Sequence, residues 1–193
     1  CKRERLDNIK QAIQLSGNQP VVIDVDTFAL QNCYEVNYQP DDTQVVTLLN
    51  IGASIMNVSI IRGSQSLFTR DITVGGSQFT DILQRNLSLS FEEAEAVKRG
   101  VSEAMEKVEE TAIEPLMNNV TDMVAMEIQK TFDFYRATAN DEEIVVDKIL
   151  ISGGGSKLAG LSEDLSAKLE LPVEVLDPFR QIKVDARKFD PDY

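Results

Sequence analysis

Short runs rich in β-branched residues follow one another between residues 44 and 72. Turns at residues 52–54 and 62–64 separate them. Runs this close, joined by turns of a few residues, predict an antiparallel meander of three strands. The first run, residues 44–51, is apolar enough to be buried on both faces of a sheet.

Helical spacing dominates the middle of the chain. Apolar residues recur every three or four positions in residues 77–87, and Ser90 with Glu93 forms a capping box that starts a second helix. A third helical region follows, which Pro115 is expected to break or restart. From there, one apolar stripe along residues 116–135 predicts a long helix that packs on a core.

The N-terminal region predicts a helix, a strand and a second helix. Residues 6–15 have helical spacing, and residues 20–25 form an apolar run typical of a short strand. Asp26 and Thr27 are then candidates for the N-cap of the next helix. Asp24 and Asp26 would alternatively form a pair of carboxylates, but a strand end and a helix cap is the favoured interpretation.

Near the C-terminus, an apolar strand at residues 148–152 ends in three glycines and is followed by a helical pattern at residues 160–169. A polar loop at residues 139–143 precedes it, and a short strand at residues 171–176 and a tail with little pattern follow. Glycine lets the backbone approach a ligand and adopt positive φ, and free amides at a helix start attract anionic groups. Taken alone, a tight turn without a ligand explains this element equally well.

Antiparallel hairpins and a parallel crossover can share one mixed sheet with helices on its faces, which predicts an α/β fold. In such sheets, ligands bind where strand ends and helix starts meet. That edge would carry residues 50–54, 75–76 and 153–155, together with Glu95 and Lys98 on one helix face. An ordinary surface ion pair is the alternative for Glu95 and Lys98.

The amino-acid composition of the chain excludes several classes of protein function. The net charge of −13 argues against nucleic-acid binding, because no basic stripe is present to meet a phosphate backbone. The chain has no histidine, which excludes Ser-His-Asp and Cys-His catalysis and histidine metal clusters. No apolar run approaches the roughly 20 residues of a membrane span. The first residue is not methionine, so we expect a fragment of a longer protein.

Six stretches in this order and spacing carry a family resemblance: residues 25–30, 49–54, 67–76, 92–98, 132–135 and 150–161. Together they resemble the PilM family of type IV pilus assembly proteins, FtsA-like members of the actin–Hsp70–sugar kinase superfamily. The resemblance covers about residues 8–179. It implies an actin-like (ribonuclease H-like) α/β fold, with a second lobe that combines a mixed sheet and an inserted helical subdomain.

The resemblance also implies a domain organisation. Residues 1–40 would end the first lobe, and residues 41–76 with 139–180 would form the mixed-sheet subdomain of the second lobe. Residues 77–138 would form the helical subdomain over the nucleotide cleft, and residues 181–193 a tail.

The implied cofactors are ATP and magnesium, and no catalytic residue is implied. The implied nucleotide-binding residues are Gly52, Ala53, Ser54, Gly75, Gly76, Glu95, Lys98, Gly153, Gly154, Gly155 and Ser156. Residues 153–156 would contact the adenosine, Glu95 and Lys98 the ribose hydroxyls, and the amides of residues 52–54 the phosphates.

Asn50 is the implied contact to magnesium, through water. In the superfamily, this position is usually an aspartate that organises the hydrated ion. Asparagine keeps an acceptor oxygen but carries no charge, so little or no ATP turnover is expected.

The implied function is that of a cytoplasmic ATP-binding scaffold, peripheral to the bacterial inner membrane, in the type IV pilus assembly complex. Its implied partner is the PilN-like cytoplasmic tail of an inner-membrane protein, bound in a groove mostly outside this chain, with pilus motor ATPases as a further candidate. One alternative is an FtsA-like cell-division scaffold or a type II secretion L-type cytoplasmic scaffold. Another is a superfamily ATPase or sugar kinase, for which Asp24 and Asp26 are the only candidate catalytic aspartates.

Overall fold

The computed structural model describes residues 2–106, 108–139 and 145–183, in which a five-stranded mixed sheet carries helices on both faces. The strands are β1 (Val45–Ile51), β2 (Met56–Arg62), β3 (Gln65–Ile72), β4 (Lys148–Ser152) and β5 (Val173–Val175). The helices are α1 (Arg3–Leu15), α2 (Asp26–Tyr38), α3 (Gly76–Leu87), α4 (Phe91–Lys98), α5 (Ser102–Met105), α6 (Glu110–Thr138) and α7 (Leu161–Leu169). A 3₁₀ turn, Gly154–Lys157, precedes α7.

The strand order is β3-β2-β1-β4-β5. β1 to β3 pair antiparallel, which confirms the predicted meander, while β4 pairs parallel with β1 and β5 parallel with β4. Asn50 near the end of β1 lies opposite Ser152 at the end of β4. Because parallel strands end at the same edge of a sheet, the turns after β1 and β4 emerge side by side.

β1 is buried on both faces, as its composition predicts. Val45, Leu49 and Ile51 face a core shared with α6 and α7, whereas Val46 and Leu48 face the opposite side. Each fully buried aliphatic side chain of this kind stabilises the fold by about 1.5–3 kcal/mol relative to its exposure in water. β1 is thus firmly packed on both faces, so the turn that follows it starts from a well-fixed position.

The opposite side of the sheet is covered by α2. Tyr34 of α2 is buried there, and Tyr38 stacks on it. The Tyr38 hydroxyl accepts a hydrogen bond from the Asp177 amide at 2.8 Å, and the Arg180 guanidinium lies 4.8 Å from the centre of the Tyr38 ring. The segment after β5 therefore fastens α2 to the sheet.

The helices α3, α4 and α6 pack on one another through a second small core that contains Leu83, Ala94, Val97 and Ile113. The predicted capping box at the start of α4 is confirmed. The Glu93 amide donates to the Ser90 hydroxyl, and the Ser90 amide donates to the Glu93 carboxylate. This box fixes where α4 begins and hence which residues of α4 face the sheet edge.

Two predictions for the N-terminal region are wrong. Residues 20–25 form no strand, and Val21 and Val22 are 93% and 78% exposed. A run with strand composition forms a strand only when its backbone can hydrogen-bond to a neighbouring strand. Within the described ranges, no strand pairs with residues 20–25. Val25 rather than Asp26 or Thr27 occupies the N-cap of α2, and no side chain caps that helix end.

The predicted break at Pro115 is also wrong, because α6 continues through it. Proline removes one hydrogen bond to the preceding turn. The apolar stripe beyond it, with Val120, Val124 and Ile128 buried in the main core, holds the helix together. Most of the predicted loop at residues 139–143 and residues 184–193 of the predicted tail lie outside the described residues. The assignment of segments to lobes stays a prediction.

Replacing Ser90 by alanine tests whether the capping box secures α4. Loss of one cap should lower the free energy of unfolding by about 1 kcal/mol, which corresponds to about 2–4 °C in Tm for a domain of this size. Thermal unfolding followed by circular dichroism measures this. Ser90→Thr keeps the hydroxyl and should stay near wild type; equal losses in both variants would show that the cap is not the cause.

Candidate functional site

An open cavity of about 580 Å³ lies at the sheet edge where β1 and β4 end, facing α4. Its volume is in the range of small-molecule sites. The predicted site residues that line it are Gly52, Ala53, Gly76, Glu95, Lys98, Gly154 and Gly155. The structure therefore brings the three glycine-bearing turns and α4 to one place, which we call the cleft.

The hairpin turn between β1 and β2 is held against the start of α3. The Gly76 amide donates to the Gly52 carbonyl at 2.9 Å, and the Ser77 amide donates to the Ala53 carbonyl at 2.8 Å. A Cβ on Gly75 would collide with both carbonyl oxygens, so only glycine allows this contact. Gly75 lies outside the cleft lining and supports the hairpin from behind.

The hairpin retains free amide donors. Within the described ranges, the amides of Ala53 and Ser54 donate to no other group, whereas the Gly52 amide donates to the Ile55 carbonyl. Successive unpaired amides of this kind form a concavity that attracts anions. The hairpin is therefore suited to a phosphate, although the Ser54 side of the turn lies just outside the cavity lining.

In the turn after β4, some residues hold the backbone conformation and others line the cleft. Gly153 has φ +83°, and a Cβ on it would lie 2.5 Å from Asn50 Oδ1, so this position requires glycine. The Ser156 hydroxyl donates to the Gly153 carbonyl at 2.8 Å and closes the turn. Neither residue lines the cavity. At Gly154, in contrast, a Cβ would meet nothing within 4 Å, so this side of the turn is open to a ligand.

Glu95 and Lys98 form a network with α3 rather than an isolated surface pair. Lys98 Nζ lies 2.5 Å from Glu95 Oε1 and 2.9 Å from Thr80 Oγ1, and the Thr80 hydroxyl also donates to Glu95. The Lys98 side chain is only 12% exposed. The network fixes α4 on α3 and orients both charged groups toward the cleft.

The network also changes the acidity of Glu95. Burial raises the pKa of this carboxyl, but hydrogen bonds from Lys98 and Thr80 and the positive charges of Lys98 and Arg99 outweigh burial, so its pKa lies below the ordinary value. Glu95 is therefore an anion at neutral pH, able to accept hydrogen bonds from ligand hydroxyls.

Five residues that line the cleft were not predicted: Ser77, Phe91, Arg99, Lys157 and Leu158. Phe91 lies four positions before Glu95 and Arg99 four positions after it. This is the spacing of one helix face, so periodicity alone could have identified them. Phe91 is 56% exposed, so its ring is accessible from the cavity that it lines. Lys157 belongs to the same turn as the three glycines.

The cleft differs in charge from the rest of the protein. Lys98, Arg99 and Lys157 line it with one carboxylate, Glu95, although the whole chain carries a net charge of −13. The side chains of Arg99 and Lys157 form no hydrogen bond or ion pair with any described residue. An excess of unpaired cations in an acidic protein favours an anionic ligand at this place.

Asn50 lies beside the cleft without lining it. Its Nδ2 donates to Asn57 Oδ1 at 3.0 Å, and its Oδ1 lies beside Gly153. Among the described residues, no group of three or more acidic residues or cysteines is placed to hold a metal ion. The donors in the cleft therefore suit an anion, whereas Asn50 offers a metal only one uncharged oxygen.

Lowering the pH tests the network. Because its folded-state pKa is depressed, Glu95 should contribute stability above its ordinary pKa of 4.5 and lose it as the pH falls through the lower folded value. Glu95→Gln should therefore lower Tm by about 2–6 °C at pH 7, and this difference should shrink below pH 4.5.

The matched control is Asp81→Asn, which removes an exposed carboxylate in the middle of α3, the helix on which α4 packs. It should leave Tm unchanged at both pH values in scanning calorimetry. A difference for Glu95→Gln that persists unchanged at acidic pH would contradict the charged network.

Comparison with known proteins identifies the family. Residues 1–191 match the family described as type IV pilus assembly protein PilM. A solved PilM–PilN type IV pilus biogenesis complex is 26% identical to this chain with a TM-score of 0.81, covering 100% of this chain and 53% of that one. The chain thus spans about half the length of that protein.

More distant structures share the fold alone. MreB 5 of Spiroplasma citri bound to AMPPNP is 14% identical with a TM-score of 0.63, over 91% of this chain and 60% of that one. The ethanolamine utilization protein EutJ from Carboxydothermus hydrogenoformans is 21% identical with a TM-score of 0.56, over 75% and 48%. No helix within the described ranges is long and apolar enough to cross a bilayer. The chain therefore has an actin-like α/β fold and belongs to the family of type IV pilus assembly protein PilM.

Proposed function

We propose that the cleft binds ATP and that the whole protein is an ATP-binding scaffold of the type IV pilus assembly complex. The observation that carries the proposal is the convergence of free hairpin amides, unpaired cations and an open glycine at one sheet edge. Free amides and cations suit phosphates. The space over Gly154 suits a planar base that must lie close to the backbone.

Different residues of the cleft would contact the phosphates, the ribose and the base of the nucleotide. The amides of Ala53 and Ser54 would bind phosphate oxygens, and Glu95 would accept hydrogen bonds from ribose hydroxyls. Phe91 and the Gly154 turn both line the cleft and would contact the base. When bound with the nucleotide, magnesium would neutralise phosphate charge, and Asn50 would hold it only through water.

The partner and the location are also proposals. A PilN-like cytoplasmic tail would bind mainly outside this chain and keep the protein on the cytoplasmic side of the inner membrane. Family membership and the solved PilM–PilN complex support this assignment. They favour a pilus role over the cell-division, secretion and sugar kinase alternatives. Pilus motor ATPases stay a candidate partner.

Gly154→Leu in the full-length protein tests ATP binding. A Cβ there would meet nothing within 4 Å, and Gly154 lines the cleft, so the fold should be kept while the ligand is displaced. We expect at least about a tenfold loss of ATP affinity, equivalent to about 1.4 kcal/mol. Because substitutions at the surface usually change stability little, Tm should stay within about 2 °C of the wild-type value. Isothermal titration calorimetry measures the affinity.

Gly155→Ala is the matched contrast. Its Cβ would collide with Ile51, so this variant should lose stability. Wild-type ATP affinity in folded Gly154→Leu protein would contradict the proposed location of the nucleotide.

Little ATP turnover is expected from the full-length protein. The carboxylate that this chain contributes to the cleft lining is Glu95, and that group is engaged by Lys98 and Thr80 rather than free to act on a water. We expect steady-state phosphate release well below ~1 s⁻¹, the slow end of ordinary enzyme rates. Gly154→Leu supplies the background rate. Wild-type release at ~1 s⁻¹ or faster without a partner would favour an enzyme over a scaffold.

A further inference from the structure

A row of polar side chains crosses three strands next to the cleft. Asn50 on β1 lies opposite Asn57 on β2, and Asn57 lies opposite Asp71 on β3. Asn50 Nδ2 donates to Asn57 Oδ1 at 3.0 Å, and Asn57 Nδ2 donates to Asp71 Oδ1 at 2.8 Å. The row thus connects an exposed edge strand to the central strand that ends at the cleft.

The row has a direction that Asp71 determines. An ionised carboxylate only accepts hydrogen bonds, so Asn57 must turn its amino group toward Asp71 and its oxygen toward Asn50. Asn50 must then turn its own amino group toward Asn57. Its Oδ1 is left on the side of Gly153, where it accepts no hydrogen bond from any described residue.

We propose that Asp71 is a positioning residue of the cleft: acting through Asn57, it holds Asn50 with its acceptor oxygen toward the glycine turn. There, Oδ1 would accept a hydrogen bond from a water of the hydrated divalent cation that accompanies ATP. This role rests on the proposed nucleotide site. Without Asp71, the two amides could reverse together at little cost, and Asn50 would present a donor that repels such a water.

Direct action of the Asp71 charge on the cleft is a weak alternative. Only β2 lies between Asp71 on β3 and Asn50 on β1. The two residues are therefore two strand spacings apart, which is about 10 Å. That distance is about one Debye length at 0.1 M salt, and Asp71 is exposed to solvent. The hydrogen-bonded row therefore carries the effect, which predicts that it depends on Asn57.

The test compares Asp71→Asn with Asp71→Glu in the full-length protein. Asparagine can donate or accept, so the row loses its direction, whereas glutamate remains acceptor-only. The first readout is the side-chain amide resonance of Asn50 in ¹⁵N NMR spectra without nucleotide. It should shift in Asp71→Asn and stay near its wild-type position in Asp71→Glu.

The second readout is the ratio of ATP affinities with and without Mg²⁺, from titration calorimetry. Asp71→Asn should reduce this ratio about 2–10-fold, the value of one hydrogen bond, while Asp71→Glu should change it less than about twofold. Affinity for ATP without Mg²⁺ should be the same in all three proteins. Melting temperatures confirm that the variants are folded.

Repeating Asp71→Asn in an Asn57→Ala background separates the two causes. The effect of Asp71→Asn should disappear there, and an effect that persists would overturn the proposal in favour of direct charge. Identical behaviour of Asp71→Asn and Asp71→Glu would overturn it as well. If the full-length protein binds no ATP, the proposed nucleotide site is wrong, and so is the positioning role that rests on it. An Asn50 resonance that still shifts only in Asp71→Asn would then show that the hydrogen-bonded row itself exists.

Discussion

The parallel pairing of β1 with β4 is the constraint on which the cleft depends. Asp147 fixes its starting register: the Asp147 amide donates to the Val45 carbonyl at 2.8 Å, and the Val45 amide donates to the Asp147 carboxylate at 2.7 Å. From that point both strands run buried to the same edge. A hairpin turn and a glycine turn that are about a hundred residues apart in sequence thereby become neighbours.

The helical part of the chain completes the site from the other side. The capping box sets the start of α4, and the Glu95–Lys98–Thr80 network sets its rotation on α3. The start of α3 is in turn hydrogen-bonded to the hairpin through Gly76 and Ser77. Hairpin, α3 and α4 therefore form one connected unit, which keeps Lys98 and Arg99 at the cleft.

Features encoded by local sequence were predictable, and so was the meeting of the glycine-bearing turns at one sheet edge. Individual contacts between residues that are distant in sequence were not predictable. Turns, strand runs and the capping box are local and were found. Residues 20–25 have strand composition, but composition does not show whether a neighbouring strand is present. The sequence could not show that the Gly76 amide donates to the Gly52 carbonyl and so is not free to bind a ligand. Nor could it show the row from Asn50 to Asp71, because strand register decides which side chains face each other.

The central claim is that one nucleotide bridges the hairpin, the glycine turn and α4. A crystal structure of the full-length protein with a non-hydrolysable ATP analogue tests it most directly. The account predicts phosphate oxygens within hydrogen-bond distance of the Ala53 and Ser54 amides, ribose hydroxyls on Glu95, and the base between Phe91 and Gly154. A nucleotide bound with its base away from Gly154 and its phosphates away from the hairpin would contradict it.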